Sequence, residues 1–257
     1  MSILNIVIPM AGAGSRFAKE GYTDPKPLIP VDGIPMIQLV IENLRPARQH
    51  RFTFICQNAH IDAYGLREKL KQWGGEGTEV IGIDGLTDGA ACTVLAAKDR
   101  INTKSPLMIA NADQWVDVDI NAYLDVMDDT ASDGLIMTMK ANDPKWSFVG
   151  LDAEGYVTHV VEKQVISDEA TVGIYNYRSG EHFVRHAEAM IAAGERVNNE
   201  FYVAPVYNRQ INEGARVAIY NVGEEARGMY GLGTPADLDL FLALEAKDKA
   251  VSACVAA

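Results

Sequence analysis

The chain has 257 residues, 48% hydrophobic and 23% charged, the composition of an ordinary globular protein long enough to bury a sizeable core. A formal net charge of −12 at pH 7 argues against nucleic acid as a partner, because duplex binding needs a broad basic field. Cys56, Cys92 and Cys254 have neither metal-ligand spacing nor a pairing framework, and no run of about 18 apolar residues occurs, so a reducing cytoplasm and no membrane partner are expected. Met1 leads straight into Ile3–Ile8 with no basic segment and no cleavage site, in keeping with that location.

Ile3–Pro9 is a short apolar run ended by a glycine-rich loop, which predicts a buried parallel strand. Met36, Ile37, Leu39, Val40, Ile41 and Leu44 form a helical stripe opened by Pro35. A strand is expected over Phe52–Cys56, a helix over Ile61–Trp73, a strand over Glu79–Ile83 and a helix over Gly89–Lys98. Pro106–Ala110 predicts a further strand, ending in Asn111-Ala112-Asp113. This alternation through about the first 130 residues implies a doubly wound, Rossmann-like sheet. Beyond it, Leu135–Lys140, Phe148–Asp152, Tyr156–Glu162 and Thr171–Tyr177 read as closely spaced strands. Glu181–Ala193, Phe201–Asn212 and Pro235–Val251 read as helices, and Arg216–Asn221 as a strand. No Pro/Ser linker or repeat interrupts the chain. One mixed α/β domain over 1–257 is therefore expected, with a nucleotide half (about 1–130) and an acceptor half (about 131–257).

The strongest local signal is Gly12-Ala13-Gly14-Ser15-Arg16 directly after the first strand, followed by Asp24-Pro25-Lys26-Pro27. Glycines at a strand end let backbone N–H groups approach phosphate oxygens, while Arg16 offers a bidentate fork and Lys26 a compact ammonium. No third glycine follows at dinucleotide-fingerprint spacing. A glycine-rich turn with two solvated cations would be the bland alternative, but strand, loop, Arg and Pro-Lys together point to phosphate. His50, His60, His159, His182 and His186 have no spacing that suggests a metal cluster or relay.

Ile8–Arg16 and Asp24-Pro25-Lys26-Pro27-Leu28-Ile29-Pro30-Val31 resemble the sugar-phosphate nucleotidylyltransferases, the NDP-sugar pyrophosphorylase family. Thr87–Leu95 and Trp146-Ser147-Phe148 resemble a branch associated with bacterial capsule and surface-polysaccharide pathways. The resemblance implies a GT-A-like nucleotidyltransferase fold and Mg2+ as cofactor. It implies an NTP and a small phosphorylated acceptor as partners, pyrophosphate as a product, and leaves a homo-oligomer open. Ala11, Gly12, Gly14, Ser15, Arg16 and Lys26 would hold the triphosphate, with the backbone at Gly89 against the base. Asp113 would bind the metal, at the strand end where open α/β sheets place ligands; a helix cap or turn is its structural alternative. Ser147, Glu162, Lys163 and Gly173 would face the acceptor, with Lys163 on its phosphate. Arg16, Lys26, Asp113 and Lys163 would be the catalytic set.

Three departures from the family pattern stand out. Gly231, in Tyr230-Gly231-Leu232-Gly233-Thr234-Pro235, occupies the position of a second metal-binding aspartate; Glu200, Glu224 and Glu225 are the candidate replacements. Ser147 replaces a glycine and Trp146 a tyrosine on the acceptor side. Asp84 stands where relatives carry a base-reading glutamine; an acceptor-only carboxylate suits the cytosine amino group, which leans the expectation towards CTP. An inactive nucleotide-binding relative and a nucleotide-sugar-dependent glycosyltransferase are the competing readings.

Overall fold

The computed structural model describes residues 2–256, so the two end residues of the expected domain, Met1 and Ala257, lie outside the described residues. Strand β1 (Leu4–Pro9) is followed by α1 (Ser15–Lys19), a 3-10 turn over Lys26–Leu28, β2 (Pro30–Val31), β3 (Ile34–Pro35) and α2 (Met36–Leu44). Next come β4 (His50–Gln57), α3 (Asn58–Tyr64), α4 (Leu66–Gly74), β5 (Glu79–Ile83), α5 (Ala90–Leu95), α6 (Lys98–Ile101) and β6 (Leu107–Ala110). Then follow β7 (Gln114–Val116), α7 (Ile120–Asp129), β8 (Gly134–Lys140), β9 (Ser147–Leu151), β10 (Val157–Glu162) and β11 (Glu169–Tyr177). The chain ends with α8 (Gly180–Ala192), α9 (Val206–Asn212), β12 (Val217–Glu225), β13 (Gly228–Gly231), α10 (Pro235–Leu242) and α11 (Ala246–Ala256).

One eleven-stranded sheet takes in strands from both halves, in the order β5-β4-β1-β6-β11-β8-β12-β13-β7, with β9 and β10 branching from β11. The first four strands are parallel. Strand β11 enters antiparallel between β6 and β8, and makes the sheet mixed. Alternate residues of each central strand enter different cores, as the pleat requires. Ile6 and Ile8 pack with Phe52, Phe54, Met108, Leu135 and Met137 under α2, α4 and α7. Val7 packs with Ile55, Ile109, Ile136 and Tyr175 under α5, α8 and α9. Each such fully buried side chain contributes roughly 1.5–3 kcal/mol. This two-sided burial explains why the strands read as continuous apolar runs, and it is the expected doubly wound architecture.

The differences from the expected elements have local causes. Gly65, at φ 60°, ends α3 and begins α4 where one helix over Ile61–Trp73 was expected. The helix expected from Phe201 begins only at Val206, because the Phe201 backbone is engaged with Asp88 and Ala91. The terminal helix is broken between Leu242 and Ala246. Strands β7 and β13 pair with each other and were too short to register as a periodic pattern. Helix α7, capped by the Asp119 carboxylate on the Asn121 N–H, was also unforeseen.

Candidate active site

The carboxyl ends of β1 and β6 lie side by side and open onto the glycine-rich loop. Gly14 sits at φ 61°, the left-handed conformation that brings the loop back over the Lys26 backbone. Gln57 Nε2 donates to the Ala11 carbonyl at 2.8 Å and fastens the loop's start to β4. Lys26, on the 3-10 turn, donates from Nζ to Asp113 Oδ2 at 2.6 Å, with both side chains about a quarter exposed. Asp113 follows β6, and its carbonyl accepts the Leu232 N–H at 2.8 Å. Two segments more than eighty residues apart thus meet at one ion pair.

Across the cavity, Gly173 lies at φ 83° within β11, where the register shifts. A Cβ there would run into the Asn111 amide, so glycine is what lets Asn111 sit against this strand. Ser147 Oγ donates to Glu162 Oε2 from the neighbouring strand. Lys163 has φ 56°, uncommon for a residue with a side chain, and its N–H donates to the Trp146 carbonyl at 3.1 Å. Its ammonium donates to Tyr202 Oη at 2.7 Å, and Tyr202 in turn donates to Glu200 Oε2. That hydrogen bond raises the Lys163 pKa above its ordinary value. Adjacent strand residues ordinarily point to opposite faces; the left-handed turn at Lys163 brings both Glu162 and Lys163 to one cavity.

Burial, chiefly, pushes the Glu162 carboxyl above its ordinary 4.5; the Ser147 hydroxyl and Lys163 oppose this, and Glu200 adds to it. A raised pKa means that Glu162 takes a proton as pH falls at a higher pH than an exposed glutamate would. Once protonated it loses acceptor capacity for a ligand hydroxyl. If Glu162 meets the acceptor as the resemblance implies, the acid limb of kcat/KM is expected to begin at a higher pH than an exposed glutamate would give. Glu162→Gln should remove that limb while leaving any limb due to the acceptor's own phosphate. An unchanged profile in the variant would detach Glu162 from the limb.

A cavity of about 550 Å³ brings together Gly12, Gly14, Ser15, Arg16, Lys26, Asp113, Ser147, Glu162, Lys163 and Gly173, all expected from the sequence. A smaller one of about 390 Å³ adjoins it, lined by Ala11, Gly12, Lys26, Gly89 and Asp113 among others. Asp84 lines neither: it is exposed, and Asn58 Nδ2 holds its Oδ1 at 2.7 Å. Beside Lys26, Asn111, Asp113 and Glu200, the smaller cavity carries Thr87 and Thr93, whose hydroxyls share a 2.6 Å hydrogen bond. Sequence reasoning also passed over Lys145, Tyr175 and Tyr202 as site residues. Tyr202 had no periodic or motif signal of its own. Among the described residues no His or Cys lines either cavity; the polar lining is one of cations, carboxylates, an amide and hydroxyls. No helix of the described residues is long and apolar enough to cross a membrane.

The sequence model of the family described as nucleotidyl transferase matches residues 6–204, which takes in the glycine loop, Asp113 and strands β8 to β11. A nucleoside-diphosphate-sugar pyrophosphorylase from Vibrio cholerae RC9 superposes with a TM-score of 0.80 at 26% identity, covering 93% of this chain and 100% of the other. A UDP-glucose pyrophosphorylase from Acinetobacter baumanii superposes at 0.70 with 17% identity, covering 93% of this chain and 92% of that one. The inositol-1-phosphate CTP transferase from T. maritima superposes at 0.73 with 14% identity, over 99% and 97%. The last two likenesses establish the fold alone. No curated protein is similar enough to the chain to count as a match. With the family pattern running through the cavity-lining segments of both halves, the chain belongs to the nucleotidyl transferase family.

Proposed function

We propose that the chain transfers the nucleoside monophosphate group of an NTP to the phosphate of a small acceptor, a sugar phosphate in the first instance, and releases pyrophosphate. The observation that carries this reading is that Arg16, Lys26 and Asp113 share one cavity with Ser147, Glu162 and Lys163. The sugar-phosphate class is supported by the 26% identical Vibrio cholerae structure, named for nucleoside-diphosphate-sugar chemistry. The surface-polysaccharide setting rests only on Thr87–Leu95 and Trp146-Ser147-Phe148.

Asp113 fits a divalent cation on two observations. A cationic ammonium already rests on its Oδ2, and a Cβ at Gly233 would come within 3.0 Å of that oxygen, so glycine keeps the space beside it open. Magnesium, when bound, would neutralise charge on the phosphate oxygens. The side chains do the rest. The Gly12–Gly14 backbone and Arg16 grip the triphosphate, and Lys26, released from Asp113, follows the phosphates. Glu162, held by Ser147, accepts acceptor hydroxyls, and Lys163 draws in the acceptor phosphate. That phosphate is already ionised near pH 7, so its oxygen attacks the α-phosphorus in line without a general base.

Pyrophosphate release across a matrix of NTPs and phosphorylated acceptors tests the reading. At least one pair is expected to turn over with stoichiometric pyrophosphate. Nucleotide binding without release from any pair would leave the non-catalytic relative that Gly231 favours; sugar transfer from a nucleotide sugar would leave the glycosyltransferase. The CTP preference would need Asp84 to swing in from Asn58. If the NTP ranking is unchanged in Asp84→Asn, base reading passes to Thr87, Thr93 and the Gly89 backbone.

A further inference from the structure

We infer that Glu200 is the second protein carboxylate of the metal site, supplying from the acceptor-side loop what Gly231 lacks. The inference rests on the proposed nucleotidyl transfer. Asp113 and Glu200 are the two carboxylates that line both the larger and the smaller cavity among the described residues; Glu162 lines the larger alone. A metal serving both triphosphate and acceptor would draw its protein ligands from the carboxylates that the two cavities share.

Position 231 is not built to reach it. A Cβ on Gly231 would lie 3.6 Å from the Asp237 carboxyl carbon, and Gly231 lines neither cavity. Glu224 and Glu225 are taken up elsewhere, by Arg227 at 2.6 Å and Lys145 at 2.8 Å, and line neither cavity. Glu200, by contrast, is aimed by its backbone. Asn198 and Asn199 hold successive left-handed conformations at φ 48° and 65°, Val197 and Glu200 exchange backbone hydrogen bonds, and the next residue, Phe201, is locked to Asp88 and Ala91. Its Oε2 takes the Tyr202 hydroxyl, which leaves Oε1 for a cation. Asp113 after β6, Glu200 on this loop and phosphate oxygens would together supply the all-oxygen donor set that a hard divalent ion prefers. Tyr202 also receives Lys163, so the metal's glutamate and the acceptor's lysine share one hydroxyl.

The test uses the full chain with Mn2+ as a paramagnetic probe and inorganic tripolyphosphate, which needs no base recognition. Mn2+ affinity is read by electron paramagnetic resonance. Glu200→Gln and Asp113→Asn are each expected to weaken Mn2+ binding to the tripolyphosphate complex at least tenfold, and Glu225→Gln to leave it unchanged. Glu200 is exposed on a loop, so its neutral variant should keep the wild-type circular dichroism and Tm. Weakening in Asp113→Asn with wild-type affinity in Glu200→Gln overturns this inference and leaves the proposed function standing. Wild-type affinity in both removes the metal site itself.

Discussion

Asp113→Asn is expected to lower turnover by about a thousandfold at saturating substrate while shifting the melting temperature little. A bound cation supplies several kcal/mol of transition-state charge stabilisation, and each decade of rate corresponds to about 1.4 kcal/mol. Asn is isosteric but neutral, so it loses the attraction for a divalent ion while its side-chain oxygen still accepts from Lys26 Nζ. The structural roles of the position survive, because the Asp113 carbonyl, not its side chain, receives the Leu232 N–H. Losing the charge of a partly exposed ion pair costs no more than about 1 kcal/mol. Single-turnover rates over a magnesium and manganese titration check this. Near-normal turnover would take Asp113 out of the chemistry; rescue at high metal would point to a second carboxylate sharing the ion, the role inferred above for Glu200.

What the sequence made legible follows from how strongly each feature is encoded locally. The buried strands of the sheet are apolar runs bounded by turn residues, and they are where the periodicity puts them. The glycine loop and Lys26 were legible because their chemistry is concentrated in a few residues after one strand. Asp113 was singled out by the family resemblance, and its place just after β6 brings it to the cavity. Tyr202 was not, because its meaning lies in joining Lys163, 39 residues away in sequence, to Glu200 through one hydroxyl. The Lys26–Asp113 pair likewise comes from the parallel pairing of β1 with β6, which no window of sequence contains. Asp84 shows the opposite case. Its chemistry suits a base, but β5 delivers it to Asn58 outside both cavities, one of many polar contacts that residue type alone cannot choose between.

Gly89→Ala is expected to cost about 2–6 kcal/mol in the native loop arrangement and to depress kcat/KM for the NTP at least tenfold. The figure joins the strain of about 1–3 kcal/mol for a side chain in a glycine-only conformation to a similar cost for overpacking. Gly89 lies at φ 127°, and a Cβ there would stand 2.5 Å from both the N and the O of Phe201. Those are backbone atoms and cannot rotate away. Moreover they are engaged: Phe201 N–H donates to the Asp88 carbonyl at 2.8 Å, and its carbonyl accepts the Ala91 N–H at 3.0 Å. Arg196 reinforces the same clamp, pairing with Asp88 at 2.8 Å and lying over the Phe201 ring at 4.2 Å. Separating the two segments would release the loop over 86–89 and the loop that carries Glu200 and Tyr202 together. Gly85→Ala is the internal control. Gly85 also has a positive φ, 72°, but nothing lies within 4 Å of its Cβ position, so only the left-handed cost of about 1–2 kcal/mol applies. Thermal melts, hydrogen exchange over 86–91 and 197–202, and NTP kinetics on both variants separate crowding from backbone strain. The Gly89 variant should expose both segments to exchange at once, and the Gly85 variant neither. Equal effects in the two would mean that conformation alone fixes this loop, and that the Phe201 backbone is a neighbour rather than its anchor.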